Sequence, residues 1–430
     1  MQRYESYKPS GAEWVGNVPS HWDVQPLRAV TALKSDKNRP ELPVLSVYRE
    51  YGVILKDSRD DNHNATSLDT STYKVVKPGD LVVNKMKAWQ GSMGVSVHDG
   101  IVSPAYITCA TRTDRVRPAY LHYLLRSSPL IGVYNSLSYG VRVGQWDMHY
   151  EDFKQIPIPL PPKDEQDRIV AFLDQKTAEI DAAIAKKERL IELLNEQKDV
   201  VFDHILYGQG NSELPVDGGG SQFFPTLGEG IELVQLGRVC RKIADGPHFS
   251  PPYVDADDGY LFLSAGNIRP SKFLLDDVKY VSERHFFEFC KRVRPEPGDV
   301  LYTKGGTTGV AKAVDIDLPF QVWVHIAVLK LRLDLVMPQY LAYALNSSGC
   351  YAQSQLFTRG ATNKDLGLTR MKNIYLPIRP LSEQAVVVGR LRRLNDQFEK
   401  TEASIRTEIS MLTNLKTGLV ASAVTGEVKV

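Results

Sequence analysis

The chain reads as an α+β protein: two tandem-repeated globular α+β domains separated by two long helices that form an antiparallel coiled coil, with pseudo-two-fold symmetry. Three observations predict this. The segment Tyr120–Ser128 (YLHYLLRSS) returns as Tyr340–Ser348 (YLAYALNSS), identical at six of nine positions after 220 residues. Ile156–Gln166 (IPIPLPPKDEQ) returns as Ile374–Gln384 (IYLPIRPLSEQ) after 218. Each copy then runs into a heptad ladder. A repeat of this length far exceeds the roughly 20 to 50 residues of a solenoid unit, so each copy is a domain with something attached to it.

In chain order, residues 1–160 form the first domain, 161–207 a spacer helix, 208–222 a flexible linker, 223–380 the second domain and 381–430 a second spacer helix. Within the domains, Asp80–Asn84, Gly259–Leu263 and His325–Leu329 have strand composition, while Tyr120–Arg126 and Tyr340–Leu345 read as one helix per copy. Lys77-Pro78-Gly79-Asp80-Leu81 answers Glu296-Pro297-Gly298-Asp299-Val300 in the same order. The spacer helices announce themselves by period. Leu173, Ile180, Lys187, Leu194 and Val201 recur every seven residues and align with Leu391, Phe398, Ile405, Leu412 and Leu419 at a shift of 218. Only Lys187 interrupts a seam that packs helix on helix. Pro161-Pro162 and Pro380 stop extended structure ahead of each helix, Asp164 and Ser382 are the expected N-caps, and Gly208 and Gly426 the expected ends. A helix from Asp164 to Tyr207 reaches roughly 65 Å. The linker is recognised by Gly218-Gly219-Gly220 at the centre of a Gly, Ser and Asp-rich run.

Composition excludes several classes. At 430 residues, 43% hydrophobic and 24% charged, the chain has material for two cores. No long apolar run and no signal-like start appear, so a cytoplasmic protein with no membrane partner is expected. Cys109, Cys240, Cys290 and Cys350 stand singly and the nine histidines are dispersed, which predicts reduced, structural cysteines and no metal. A net charge of +1 is not that of a general polyanion binder, but it conceals +4 over residues 1–163 and −5 over 164–207. Arg284, Lys291, Arg292 and Arg294 crowd together, as do Arg359, Lys364, Arg370 and Lys372. Phosphate contact needs such concentration rather than a high total.

Two loops after matched strands mix cations, small polar groups and glycines: Lys85–Gly94 (KMKAWQGSMG) and Lys304–Gly309 (KGGTTG). Neither has the spacing of a P-loop. Glycines let a backbone approach a phosphate closely, while Gln90, Thr307 or Thr308 reaches a base edge. Ser250-Pro251-Pro252-Tyr253 fits the short motif with which amino-methyltransferases hold a target amine, yet no glycine-rich turn for S-adenosylmethionine accompanies it, so it reads as a loop.

On these residues, together with Tyr7–Trp22 (YKPSGAEWVGNVPSHW), IPIPLPPKDEQ at Ile156 and Asp245–Pro251 (DGPHFSP), the chain resembles the specificity subunit of type I restriction-modification systems over essentially its whole length. The resemblance implies two target-recognition domains, each binding one half of a bipartite double-stranded DNA target. The paired helices then act as a ruler and as the docking surface for two methylation (M) subunits, with restriction (R) subunits joining for cleavage. It implies no catalysis and no cofactor in this chain: S-adenosylmethionine belongs to the methylation subunit, ATP and magnesium to the restriction subunit. Expected DNA contacts are Lys85, Lys87, Trp89, Gln90, Arg142 and Gln145 in the first domain, and His248, Lys304, Thr307, Thr308, Arg359, Asn363 and Lys364 in the second. The expected helix-pair and subunit interface is Leu173, Ile180, Leu194, Val201, Leu391, Phe398, Ile405, Leu412 and Leu419. Two other readings remain: a stand-alone adenine methyltransferase, which must bind S-adenosylmethionine, and a coiled-coil scaffold, which binds no DNA.

Overall fold

The computed structural model describes residues 2–59, 66–67, 69–140, 146–209, 213–216, 218–224, 226–361 and 364–430. The chain divides into two compact units, Met1–Glu188 with Arg406–Val430, and Arg189–Ile405. The first long helix, Lys163–Tyr207, and the second, Leu381–Thr425, are each continuous and each contribute residues to both units.

Both units are built on the same four-stranded antiparallel sheet. In the first unit the order is Thr31–Leu33, Tyr106–Thr111, Leu81–Asn84, Met93–Val95. In the second it is Cys240–Asp245, Ile326–Leu331, Val300–Thr303, Ala311–Ala313. The strand entering each central position follows the matched turn, where Gly79 and Gly298 sit at φ 91° and 94°. Such a backbone suits glycine alone. The following aspartate closes the turn: the Lys77 and Glu296 amides donate to Asp80 and Asp299 at 2.7 and 2.8 Å. A lysine from a neighbouring segment then neutralises each carboxylate, Lys34 on Asp80 at 2.5 Å and Lys330 on Asp299 at 2.6 Å.

The predicted short helices are Pro118–Leu125 and Pro338–Leu345, each followed by a second, Ser128–Leu137 and Ser348–Phe357. Their shared tyrosines explain part of the sequence repeat. Tyr120 and Tyr340, both fully buried, donate their hydroxyls to the carbonyls of Pro159 and Pro377 at 3.1 and 2.9 Å. Those prolines lie in strands Pro157–Leu160 and Tyr375–Ile378, which pair with Asp23–Pro26 and Glu232–Gln235. The units differ in what is added to this frame. The first carries a hairpin, Leu45–Tyr48 with Gly52–Leu55. The second carries a mixed four-stranded sheet of Tyr253–Val254, Lys279–Ser282, Gly259–Leu263 and Phe320–Val322, covered by helix Glu283–Cys290.

The start of each long helix is one residue earlier than expected, and Asp164 and Ser382 are not its caps. The Pro162 carbonyl takes the amides of Glu165 and Gln166, and the Pro380 carbonyl those of Glu383 and Gln384, which places the aspartate and serine inside the first turn. A different side chain secures the junction. Gln166 is fully buried; its Oε1 accepts the Arg117 amide at 2.7 Å and its Nε2 donates to the carbonyls of Pro161 at 2.9 Å and Arg115 at 3.4 Å. Gln384, 218 positions on, repeats this with Met337, Arg379 and Leu335 at 2.8, 2.9 and 2.9 Å. Each glutamine thereby satisfies an orphan amide at the head of a short helix while fixing a long one.

Within the first unit, Ile169, Leu173 and Ile180 share a core with Leu412, Leu419, Ala423 and Val424. Within the second, Val201, Phe202, Ile205 and Leu206 share one with Val387, Leu391 and Leu394. Early residues of one helix thus meet late residues of the other, so the segments run antiparallel. Leu194 and Phe398 are half-buried, Phe398 edge-on to Phe202 at 6.4 Å, and Ile405 is buried. Lys187, where the ladder breaks, pairs with Glu408 of the second helix, and Lys416 pairs with Asp181 at 2.6 Å. Gly208 and Gly426 end the helices at φ 64° and 77°. The segment 208–222, expected as a flexible linker, is built into the second unit where it is described. Glu213–Pro215 pairs with Thr226–Gly228, and Gly219 and Gly220 lie so close to Tyr375 that a Cβ on either would sit 2.4 or 2.9 Å from its ring or hydroxyl. No helix among the described residues is long and apolar enough to cross a membrane.

Gln166→Leu is expected to destabilise the first unit by about 2 kcal/mol or more, because a buried amide and two carbonyls lose their partner. Gln384→Leu does the same in the second. Hydrogen exchange resolved by unit checks both; equal loss in both units from either variant would mean the junctions are not separate.

Candidate nucleic-acid interface

In the second unit, several element ends converge. Strand Cys240–Asp245 ends at Asp245, whose side chain is 3% exposed. Arg292, which follows helix Glu283–Cys290, hydrogen-bonds its carboxylate through Nη2 and, at 3.1 Å, through Nε. Lys304, at the end of strand Val300–Thr303, lies 3.4 Å away, and His248 3.3 Å away. Burial alone raises this carboxyl's pKa, but the Arg292 hydrogen bond and then the charges of Lys304, Arg292 and His248 outweigh it and hold it below the ordinary carboxylate value. Close packing at two glycines presses the same loops together. A Cβ on Gly246 would meet the Val322 carbonyl at 1.9 Å, and one on Gly305 would meet His325 Nδ1 at 2.3 Å.

Lys304, expected as a phosphate contact, is nearly enclosed, with 8% of its side chain exposed. Its ammonium faces Asp365 at 3.0 Å as well as Asp245, and donates to the Val324 carbonyl at 3.4 Å. Thr308 is buried too. Its hydroxyl lies 3.2 Å from Gln355 Nε2 and accepts from Thr358 Oγ1 at 3.1 Å, which ties the Lys304–Gly309 loop to helix Ser348–Phe357. Thr307, Arg359 and Lys364 are exposed, as is His248 at 63% of its side chain. Asn363 lies outside the described residues. Beside His248 stands Phe249, 54% exposed and edge-on to Phe289 at 5.5 Å. This leaves an outward rim of Thr307, Arg359, Lys364, His248 and Phe249 over an enclosed ionic layer.

In the first unit, the loop after strand Leu81–Asn84 is a 3-10 helix, Lys85–Gln90, closed by Gly91 at φ 84°. Lys87 is exposed; Lys85, Trp89 and Gln90 are half-buried. Lys85 pairs with Asp147 at 3.0 Å, and Trp89 meets Trp146 edge-on at 5.3 Å. The Trp89 indole nitrogen is buried with no partner among the described residues. Arg142 and Gln145 lie outside the described residues. Tyr51 is 53% exposed and carries the Arg59 guanidinium 4.7 Å from its ring centre. Cations, aromatic faces and an amide group thus occur among the exposed and half-buried residues of this unit, the mixture that contacts phosphates and base edges. No group of three or more potential metal ligands occurs among the described residues.

The acidic members, Asp147, Asp245 and Asp365, were not among the expected residues, and neither was Trp146. A signal existed for two of them. Lys85 and Lys304 stand 219 apart and Asp147 and Asp365 stand 218 apart, within the drift of the repeat.

Asp245→Ala is expected to lower the stability of the second unit by about 3 kcal/mol at neutral pH, because it strips a carboxylate from the enclosed Lys304. Because the folded carboxyl titrates below its unfolded value, its contribution is present above about pH 4 and is lost as pH falls through the folded pKa. Urea unfolding at pH 7 and in acid should therefore show a smaller acid loss for the variant than for the parent; identical acid losses would remove Asp245 from this role.

The family model described as the type I restriction modification DNA specificity domain matches residues 113–193 and 229–411. The chain is 20% identical to the EcoKI type I restriction enzyme specificity subunit of Escherichia coli strain K12, covering 96% of this chain and 90% of that one. It is 22% identical to the MjaVIII type I restriction enzyme specificity subunit of Methanocaldococcus jannaschii, covering 84% and 83%. A solved chain from a study of complex assembly and conformational transition of the type I R-M system superposes with a TM-score of 0.67 at 18% identity, covering 96% of this chain and 99% of that one. With the duplicated fold, the matched loops and a family model that spans parts of both units, the chain belongs to the type I restriction-modification DNA specificity family.

Proposed function

We propose that this chain is the non-catalytic recognition subunit of a type I restriction-modification enzyme and reads a bipartite duplex DNA target, one half-site per unit. The observation that carries this reading is the duplication. One sheet order recurs in both units with a loop at the same strand end, while the residues at those loops differ: exposed Lys87 and half-buried Gln90 in one, exposed Thr307 in the other, with exposed Arg359 and Lys364 beside it on the segment after helix Ser348–Phe357. Two copies of one frame with different rims suit two different half-sites. Exposed cations hold phosphates, and the amides and hydroxyls read base edges.

The long helices dock two methylation subunits and set the distance between half-sites. Restriction subunits join that assembly. S-adenosylmethionine binds the methylation subunit, and ATP and magnesium the restriction subunit. Absence of calorimetric heat with S-adenosylmethionine, together with salt-dependent binding of duplex DNA, separates this reading from a stand-alone methyltransferase and from a scaffold.

Two outcomes are expected. Replacing residues 1–160 with the matching domain of a relative changes one half of the methylated sequence and leaves the other intact, as read by mapping methylated adenines; a change in both halves would contradict one half-site per unit. Repeating Thr177-Ala178-Glu179-Ile180 after Ile180 adds about one helical turn, roughly 6 Å. At about 3.4 Å per base pair, the same two half-sites should then be methylated with a spacer longer by one or two base pairs. An active variant with an unchanged spacer would show that the helices are not the ruler.

A further inference from the structure

In each unit a short β-hairpin springs from the end of the second short helix. In the first unit Ser138–Tyr139 pairs with Asp147–Met148, Tyr139 opposite Asp147. In the second, Arg359 bridges Asp365, with reciprocal amide-to-carbonyl bonds of 2.9 and 2.8 Å. Tyr139 and Arg359 stand 220 apart in sequence, so the hairpins are copies. In both, the aspartate opposite Tyr139 or Arg359 pairs with the lysine that directly follows the central strand, at 3.0 Å in each case.

We propose that Lys85–Asp147 and Lys304–Asp365 are a duplicated latch. It docks each hairpin on the strand-end loop of its own unit, so that Asp147 and Asp365 are specificity-determining positioning residues and neither lysine contacts phosphate. The inference rests on the DNA-recognition reading above. An isolated surface ion pair would mean little, and three observations set this one apart. It recurs at matched positions although the elements added to the two units differ. Backbone bonds accompany it: the Leu366 amide donates to the Lys304 carbonyl at 2.8 Å and the Gly306 amide to that of Lys364 at 3.2 Å. In the first unit the Trp89–Trp146 contact lies beside it in sequence on both strands of the junction. Lys304, facing two carboxylates and a carbonyl, has no charge left over for a phosphate.

The two latches are unequal. Lys304 keeps Asp245 when Asp365 is neutralised, whereas Asp147 is the one carboxylate paired with Lys85 among the described residues. Asp147→Asn should therefore loosen its hairpin more than Asp365→Asn does.

The test uses the full chain assembled with its methylation subunit and S-adenosylmethionine. Half-sites are first identified from methylated adenines in cellular DNA, and kcat/KM is then measured on duplexes randomised in one half-site at a time. Asp147→Asn is expected to reduce discrimination at a single half-site roughly tenfold, the scale of one well-placed base contact, and to leave the other unchanged. Asp365→Asn should act on the opposite half-site and more weakly, and Asp147→Glu should restore discrimination. Lys85→Met should retain the salt dependence of DNA binding. Unchanged discrimination in Asp147→Asn overturns the proposal, as does a salt slope that falls by about one in Lys85→Met, the mark of a lost phosphate contact. If Asp147→Asn does not fold, the exchanged pair Lys85→Asp with Asp147→Lys decides: regained discrimination supports the latch, and a folded chain without it overturns the latch. A parent chain that binds no duplex at any salt concentration instead sinks the recognition reading, and the latch with it.

Discussion

A buried primary amide holds each long helix to its domain. Gln166 and Gln384 sit where three chain segments meet: the proline-rich strand, the head of a short helix and the first turn of a long one. The geometry asks for one acceptor and two donor hydrogens on a single uncharged group. A carboxylate would supply only acceptors and a buried charge, and an alkyl side chain nothing. With the head of the short helix fixed, Tyr120 and Tyr340 reach the proline carbonyls, and the strands carrying Pro159 and Pro377 keep their register. The loops at the far ends of the central strands inherit their positions from this junction.

What the sequence made legible was what local chemistry decides. The repeat, the heptad ladder, the helix-ending glycines Gly208 and Gly426 and the strands ahead of the two loops all follow from the order of neighbouring residues. Tertiary decisions were not legible. Lys304 and Thr308 have the composition of a phosphate-binding loop, yet Asp245, Asp365, Gln355 and Thr358 turn both inward. Those partners lie about 50 or more positions away and have no local signature. The misplaced caps at Asp164 and Ser382 have the same origin, because a carbonyl of a preceding proline and a distant amide replaced the expected local side chain.

The comparison of the two units separates frame from ornament. Sheet order, glutamine junction, aspartate-closed turn and hairpin latch are common to both. The Leu45–Leu55 hairpin and the sheet of Tyr253–Val254, Gly259–Leu263, Lys279–Ser282 and Phe320–Val322 are not, and all of their strands but Phe320–Val322 lie in the chain between the first core strand, Thr31–Leu33 or Cys240–Asp245, and the next, Leu81–Asn84 or Val300–Thr303. Chain inserted there leaves the core strands' pairing unaltered, so a rim can diverge at small cost to stability.

The first unit is closed by the far end of the chain. Gln2 bridges Lys429, the Tyr7 hydroxyl donates to the Glu427 carbonyl across 420 positions, and Tyr120 donates to the Val424 carbonyl across 304. The second unit is one uninterrupted stretch, Arg189–Ile405. Synthesis therefore reverses the usual order of folding. The stretch translated second is complete as soon as Ile405 emerges, while the stretch translated first waits for Arg406–Val430. At about 5 to 20 residues per second the wait from Glu188 to the last of these is roughly 12 to 50 s. Through that interval Leu173 and Ile180 lack the helix that covers them.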